Sequence, residues 1–158
     1  MGVGMMQGYV LSTDDGEHMF QSRGEIVVKV DPTRGSNELA LGTQRMPLGV
    51  GVPPHVHAYW DETAYVLDGN GYIILDGERI PIQKGDTVFV PKGTSHAYEN
   101  PDSEMFLMWI VAPTGQEEFF RAISSRPGEP AKNLSRDEVL AIRQQVEAEH
   151  LKRVQPKS

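Results

Sequence analysis

The 158 residues hold 15 Lys and Arg against 22 Asp and Glu, a formal charge of −7, and no cysteine. An acidic chain without a basic stripe is a poor match for a nucleic-acid duplex, and a chain without thiols has no disulfide scaffold, thiolate zinc site or cysteine nucleophile. The length suits one domain with a real core, and the absence of disulfides fits the cytoplasm.

In chain order, MGVGMMQGYV lacks a basic n-region and a long apolar stretch, so no signal peptide is expected. Tyr9-Val10-Leu11 and Met19-Phe20 read as short edge strands, and His18, alone among acidic residues, as a solvated surface residue. Ile26 to Val30 is a β-branched strand ended by Asp31-Pro32, Arg34 to Asn37 a turn, and Leu39 to Met46 the next strand. Pro47 to Pro54 holds three prolines and two glycines and is read as a stiff approach rather than helix. Glu62 to Leu67 is β-prone, and Asp68-Gly69-Asn70-Gly71 a tight turn. Tyr72 to Leu75 and Glu78 to Ile82 flank Asp76-Gly77, a favoured two-residue hairpin turn. Thr87 to Val90, Ala97 to Asn100 and Met105 to Val111 complete the strands; the apolar run Met105 to Ala112 is too short to span a bilayer.

Beyond this the pattern changes. Thr114-Gly115-Gln116-Glu117 has capping-box spacing for a short helix to about Ser124, and Ser135-Arg136-Asp137-Glu138 opens a second helix to about His150. The tail LKRVQPKS is expected to fray. Phe119 and Phe120 are expected to pack the first helix on an outer sheet face or a partner subunit, with capping of a barrel mouth as the alternative. The division expected is 1–128 as one β domain with its short helix, then 129–158 as linker and C-terminal structural helix. Eight to eleven short strands with frequent turns imply an all-β antiparallel sandwich or barrel with one or two C-terminal helices.

Three of the five histidines gather in two places: His55 and His57, with Glu62 five residues on, and His96. On a strand, residues two apart share a face, so His-x-His aims two imidazoles into one space. Three neutral imidazoles and a carboxylate suit one divalent transition metal, Fe, Mn, Ni, Cu, Co or Zn, rather than Ca or Mg. Alternation from these residues turns Ala64, Val66 and Tyr98 inward and Tyr65 and Asp61 outward. Met46, Tyr98 and Met108 are candidates for a substrate pocket, with plain core packing as the competing role.

Two spaced patterns contain these residues. Gly49, His55, His57, Glu62 and Gly69 give G-x5-H-x-H-x4-E-x6-G; Gly85, Pro91, Gly93, His96 and Asn100 give G-x5-P-x-G-x2-H-x3-N, with fifteen residues between them. The pair resembles the two motifs of the cupin superfamily. That resemblance implies a small jelly-roll β-barrel holding one metal on His55, His57, Glu62 and His96, with coordination positions left open for chemistry.

The cupin fold hosts many chemistries, so the reaction is not implied by the fold. The stretch from Ala112-Pro113-Thr114-Gly115 to Phe119-Phe120 is similar to the segment after the barrel in small flavonol-dioxygenase-like cupins. This ranks first a dioxygenase acting on an enolic, flavonol-like or diketone-like substrate, with Glu62 also serving as catalytic base. The alternatives are an oxygen-independent isomerase, lyase or cyclase using the metal as Lewis acid, and a non-enzymatic small-molecule binder. No basic helical segment suits a DNA-binding regulator. The expected partners are a small-molecule ligand and a second copy in a homodimer, with no nucleic acid and no membrane.

Overall fold

The computed structural model describes residues 7–154, so the readings of the first six residues and the last four lie outside it. Ten strands and two helices follow in order: β1 (Glu17–Gln21), β2 (Gly24–Val30), β3 (Ala40–Met46), β4 (Val52–His55), β5 (Asp61–Asp68), β6 (Asn70–Leu75), β7 (Glu78–Gln83), β8 (Thr87–Val90), β9 (His96–Glu99), β10 (Met105–Ala112), α1 (Gln116–Ile123) and α2 (Arg136–Val154). A short 3-10 turn, Pro32–Arg34, joins β2 to β3. All pairings are antiparallel: one sheet runs β1-β2-β3-β10-β5-β8, the other β4-β9-β6-β7. This is the jelly roll expected from the sequence, although the two sheets are not hydrogen-bonded into a closed barrel.

The local chemistry explains most boundaries. β-branched Ile26, Val27 and Val28 make β2, and Pro32 ends it by removing a ladder donor. Asp76 and Gly77, both at positive φ, turn β6 into β7. Gly69 alone carries the chain from β5 in one sheet to β6 in the other. Its φ is 84°, and a Cβ there would lie 2.0 Å from the Glu104 carbonyl oxygen, so only glycine fits this corner. The four-residue turn expected at 68–71 is therefore a one-residue step between sheets.

Three further expectations change. Tyr9 to Leu11 forms no strand; Val10 is exposed, and Tyr9 only reaches back to donate to the Lys29 carbonyl, at 2.9 Å. Pro53 and Pro54 lie inside β4, which is tolerable because β4 is an edge strand irregularly paired with β9. At α1 the cap position falls on Gly115, not Thr114; Glu117 Oε2 accepts the Gly115 N–H at 2.8 Å. The capping box at α2 forms in both directions: Ser135 N–H donates to Glu138 at 2.7 Å and Glu138 N–H to Ser135 Oγ at 3.2 Å. α2 extends past His150 to Val154.

One face of the six-stranded sheet carries two cores. Over β5, β8 and the start of β10, Ala64, Val66, Val88, Val90 and Leu107 meet Ile73, Ile82 and Tyr98 of the smaller sheet. Over β1 to β3 and the end of β10, Met19, Ile26, Val28, Trp109 and Val111 meet Trp60 and α1 through Phe119, Phe120 and Ile123. Leu134, Val139, Ile142 and Val146 lay the linker and α2 on this second core, so the C-terminal segment is packed into the β domain. Phe119 and Phe120 are interior residues, not a layer on an outer face, because the smaller sheet leaves this half of the large one bare.

Candidate metal centre

The two cores meet at the histidines. His55 is the last residue of β4 and sits opposite His96, the first of β9. His57 lies two residues beyond β4, outside any strand, so strand alternation is not what aims it. Its carbonyl accepts the Gly93 N–H at 2.7 Å, which ties the loop of the first motif to the loop that delivers His96. Glu62 stands on β5 across from Val90 and Val111. Two loops and three strands thus converge on one point.

Ligand atoms of His55, His57 and His96 lie within 4.8 Å of one another, a group able to hold a metal ion. The ring centroids are 4.1 to 4.9 Å apart. Glu62 Oε2 is 3.1 Å from His57 Nε2 and 3.9 Å from His96 Nε2. The second ring nitrogens fix two tautomers. His55 Nδ1–H donates to the Pro53 carbonyl at 2.9 Å, and His96 Nδ1–H to the Thr94 carbonyl at 3.1 Å. Both Nε2 lone pairs are therefore left facing inward, and the buried Nε2 of His96 has no hydrogen-bond partner. An orphaned imidazole lone pair beside a buried carboxylate is the donor set a transition cation satisfies.

Electrostatics agree with that fit. Burial pushes the His55 and His57 imidazoles below their ordinary range, so they are neutral and able to ligate at neutral pH. At Glu62 burial pushes the carboxyl up, but donation from His57 and the nearness of His96 outweigh it, leaving the group well below the usual carboxylate range. Tyr98 donates its hydroxyl to Glu62 Oε1 at 3.1 Å; burial, then the Glu62 charge, push its phenol well above its usual value, so it stays a neutral donor.

Of the remaining sequence candidates, Tyr98 lines the cavity beside the histidines. Met46 does not: it is fully buried in the core between the sheets, with Gln44, two residues earlier on the same face of β3, at the cavity wall. Met108 is a correction. Met105, Leu107, Trp109 and Val111 alternate inward on β10, so Met108 faces the other side and Leu107 and Trp109 take the wall. Asp61 points away from the histidines, as expected, and accepts the Lys92 N–H at 2.9 Å. His18 is half-buried rather than solvated: Glu25 Oε1 is 2.6 Å from Nδ1, and hydrogen bonding to Glu25 raises its pKa.

The cavity itself is about 50 Å³, walled by Ala64, Leu107, Trp109, Phe119 and Phe120 and by polar Gln44 and Gln116. One lining residue escapes sequence reasoning. Arg143, from α2, places a guanidinium nitrogen 3.1 Å from His57 Nδ1 and stacks 4.0 Å above the Phe119 ring. Burial pushes its pKa down to about 10, so it remains a cation. The only signal in the chain is an arginine on the stripe of Val139, Ile142 and Val146, where the helical period calls for an apolar residue.

Residues 42–112, which contain both motifs, match the Cupin_2 family, described as a cupin domain. This segment is a cupin domain. The chain is 29% identical over 156 residues to a protein of Bacillus subtilis named quercetin 2,3-dioxygenase, covering 94% of this chain and 44% of that protein. It is 29% identical over 103 residues to 3-hydroxyanthranilate 3,4-dioxygenase of Cupriavidus pinatubonensis, covering 59% of this chain and 54% of that one. The chain spans about half the length of the first relatives it matches. Among solved structures, an RmlC-like cupin from Shewanella frigidimarina superposes with a TM-score of 0.59 at 20% identity, over 72% of this chain and 99% of that one, which supports the cupin fold. No described helix is long and apolar enough to cross a membrane.

Proposed function

We propose that this cupin is a metal-dependent dioxygenase for a small enolic or diketone-like substrate. His55, His57 and His96 would hold one divalent transition metal, with Glu62 as fourth ligand. The observation that carries the dioxygenase reading is the alignment to the quercetin 2,3-dioxygenase of B. subtilis over 94% of the chain, which takes in α1 and α2 beyond the cupin domain. The inward imidazoles with the buried Glu62 carboxylate supply the chemistry such a reading needs.

When bound, the metal would supply open positions to chelate the substrate oxygens and to take up dioxygen. The chain's own residues do the rest. Glu62, ionised and released from its place as fourth ligand, would accept the proton of the substrate hydroxyl at Oε2, while the Tyr98 hydroxyl keeps Oε1 oriented. Phe119, Phe120, Trp109 and Leu107 exclude water from the reacting carbon skeleton. A cavity of about 50 Å³ favours a small substrate over a flavonol.

The test is metal analysis of the protein as isolated, then oxygen uptake with the metal-loaded protein against diketones, catechols and flavonols. Oxygen consumed in proportion to product supports the reading. Full turnover without oxygen, or with zinc alone, overturns it in favour of an isomerase, lyase or cyclase. Tight binding without turnover under any metal leaves a non-enzymatic binder.

A homodimer is also proposed. The free edge of β1 is partly occupied by Ser125, which exchanges two backbone hydrogen bonds with Phe20, so the interface would use β8 or the edges of the smaller sheet. Light scattering on the full chain reads a dimer mass; a monomer mass overturns it.

A further inference from the structure

The chain is acidic, with a net charge of −7, yet one groove that adjoins the cavity at its histidines is basic. A groove of about 290 Å³ runs between the β1–β2 turn and the linker before α2, lined in part by Arg23, Lys132 and Arg136. It shares Gln21, Arg23 and Ile123 with the inner cavity, where Arg143 faces His57. Along groove and cavity, the described lining holds four cations and one acid, Glu62, which His57 and Tyr98 already engage.

The pairing of arginines sharpens the contrast. Arg34, Arg45, Arg79, Arg121 and Arg153 each have a carboxylate within 4.0 Å. Among the described residues, Arg23, Arg126, Arg136 and Arg143 have none, and of these four only Arg23 and Arg143 are drawn partly into the interior. Glu147, one turn on from Arg143, and Glu62 both attract it without forming an ion pair. A cation drawn into a protein interior without an anion is costly, and a bidentate carboxylate is the partner that best offsets this. The contact Arg143 does make is also incompatible with a loaded site. Its guanidinium can only donate, so His57 Nδ1 accepts and the imidazole proton sits on Nε2. An imidazole that gives Nε2 to a metal keeps its proton on Nδ1, setting donor against donor and freeing Arg143 for another acceptor.

We propose that Arg143, with Arg23 at the junction of groove and cavity, binds the carboxylate of a small anionic substrate whose enolic or keto oxygens lie toward the three histidines; this rests on the metal-site reading above. Lys132 and Arg136 focus such anions toward the groove. The substrate is then a keto or enol acid, not a neutral diketone.

The test compares acetylacetone with 2,4-dioxopentanoate, which differs only in a carboxylate replacing one methyl group. Calorimetry measures the affinity of each for the full chain, zinc-loaded and metal-free, so that binding is read without turnover. The wild type is expected to prefer the acid by roughly 10- to 100-fold, the range of a charge-assisted hydrogen bond. Arg143→Met should bring the two affinities level, and Arg143→Lys should restore part of the preference. Equal affinities in the wild type, a comparison that needs no variant to fold, overturn the proposal. A preference that survives Arg143→Met overturns it as well. Zinc stoichiometry on the same samples separates the two failures: if the chain takes up no metal the metal-site reading fails, and the metal-free comparison still judges Arg143.

Discussion

His57 carries most of the information at the residue scale. Its carbonyl anchors the Gly93 loop, its Nε2 faces Glu62, and its Nδ1 faces Arg143. His57→Ala removes the side chain and leaves the carbonyl, so the fold should persist. Metal affinity should fall at least about 100-fold, beyond what loss of a supporting partner costs. Metal content by mass spectrometry against circular dichroism checks this, and a wild-type metal content sinks the assignment. The pH dependence has a definite sign. His55 and His57 sit below the unfolded value near 6.5, so they are unprotonated above it and protons compete only at lower pH. Zinc affinity, measured by chelator competition, should be flat from pH 8 to about 6.5 and fall below that; a steady decline from pH 8 to 7 would contradict it.

Loops position the site together with strands at the element scale, and Asn100 holds two of those loops. Its amide donates to the carbonyls of Pro47 at 2.8 Å and Ser103 at 2.9 Å, and its Oδ1 accepts the Gly51 N–H at 2.8 Å. One buried side chain thus closes both the approach to β4 and the turn after β9. Asn100→Ala leaves four backbone groups without it, the Met46 carbonyl included, and the expected loss is about 3 kcal/mol, or roughly 6–12 °C in Tm for a chain of this size. A melting curve shifted by less than about 2 °C would show the loops are held otherwise. The helices bear a different role: α1 fills the half of the large sheet that the small sheet leaves open, and α2 brings Arg143 into the cavity.

For the whole molecule, one ion cluster joins the N-terminal strands to α1. Arg121 reaches Glu17 at 2.6 Å and bonds the fully buried Asp31. Donation from Arg121 lowers the Glu17 carboxyl; at Asp31 burial raises it, but bonds from Arg121 and Thr33 lower it further. Both folded values lie below the unfolded values near 4, so this contribution is present above about pH 4 and is lost as pH falls through the folded values. Arg121→Ala should cost about 2 kcal/mol at neutral pH, since it removes the guanidinium that donates to the buried Asp31 and leaves only Arg34, 3.7 Å away. The penalty should shrink below pH 4, where wild type loses the same contribution. Denaturant titrations of both proteins at pH 7 and pH 3 measure it; an equal penalty at both would refute this account.

Most strands, the hairpin at Asp76-Gly77, the capping box at Ser135 and the two histidine motifs were legible in the chain, because each is governed by neighbours a few residues away; β4, with its two prolines, was not. Spacing also brought His55, His57, His96 and Glu62 together on paper, though strand alternation was the wrong reason for His57. What only the tertiary structure decided lies in contacts between distant segments. Met108 faces outward because of how β10 meets β3 and β5; Phe119 and Phe120 turn inward because the second sheet is short; Arg143 meets His57 across 86 residues. No local period encodes which face of a helix or strand finds a neighbour when that neighbour is set by packing of the whole domain.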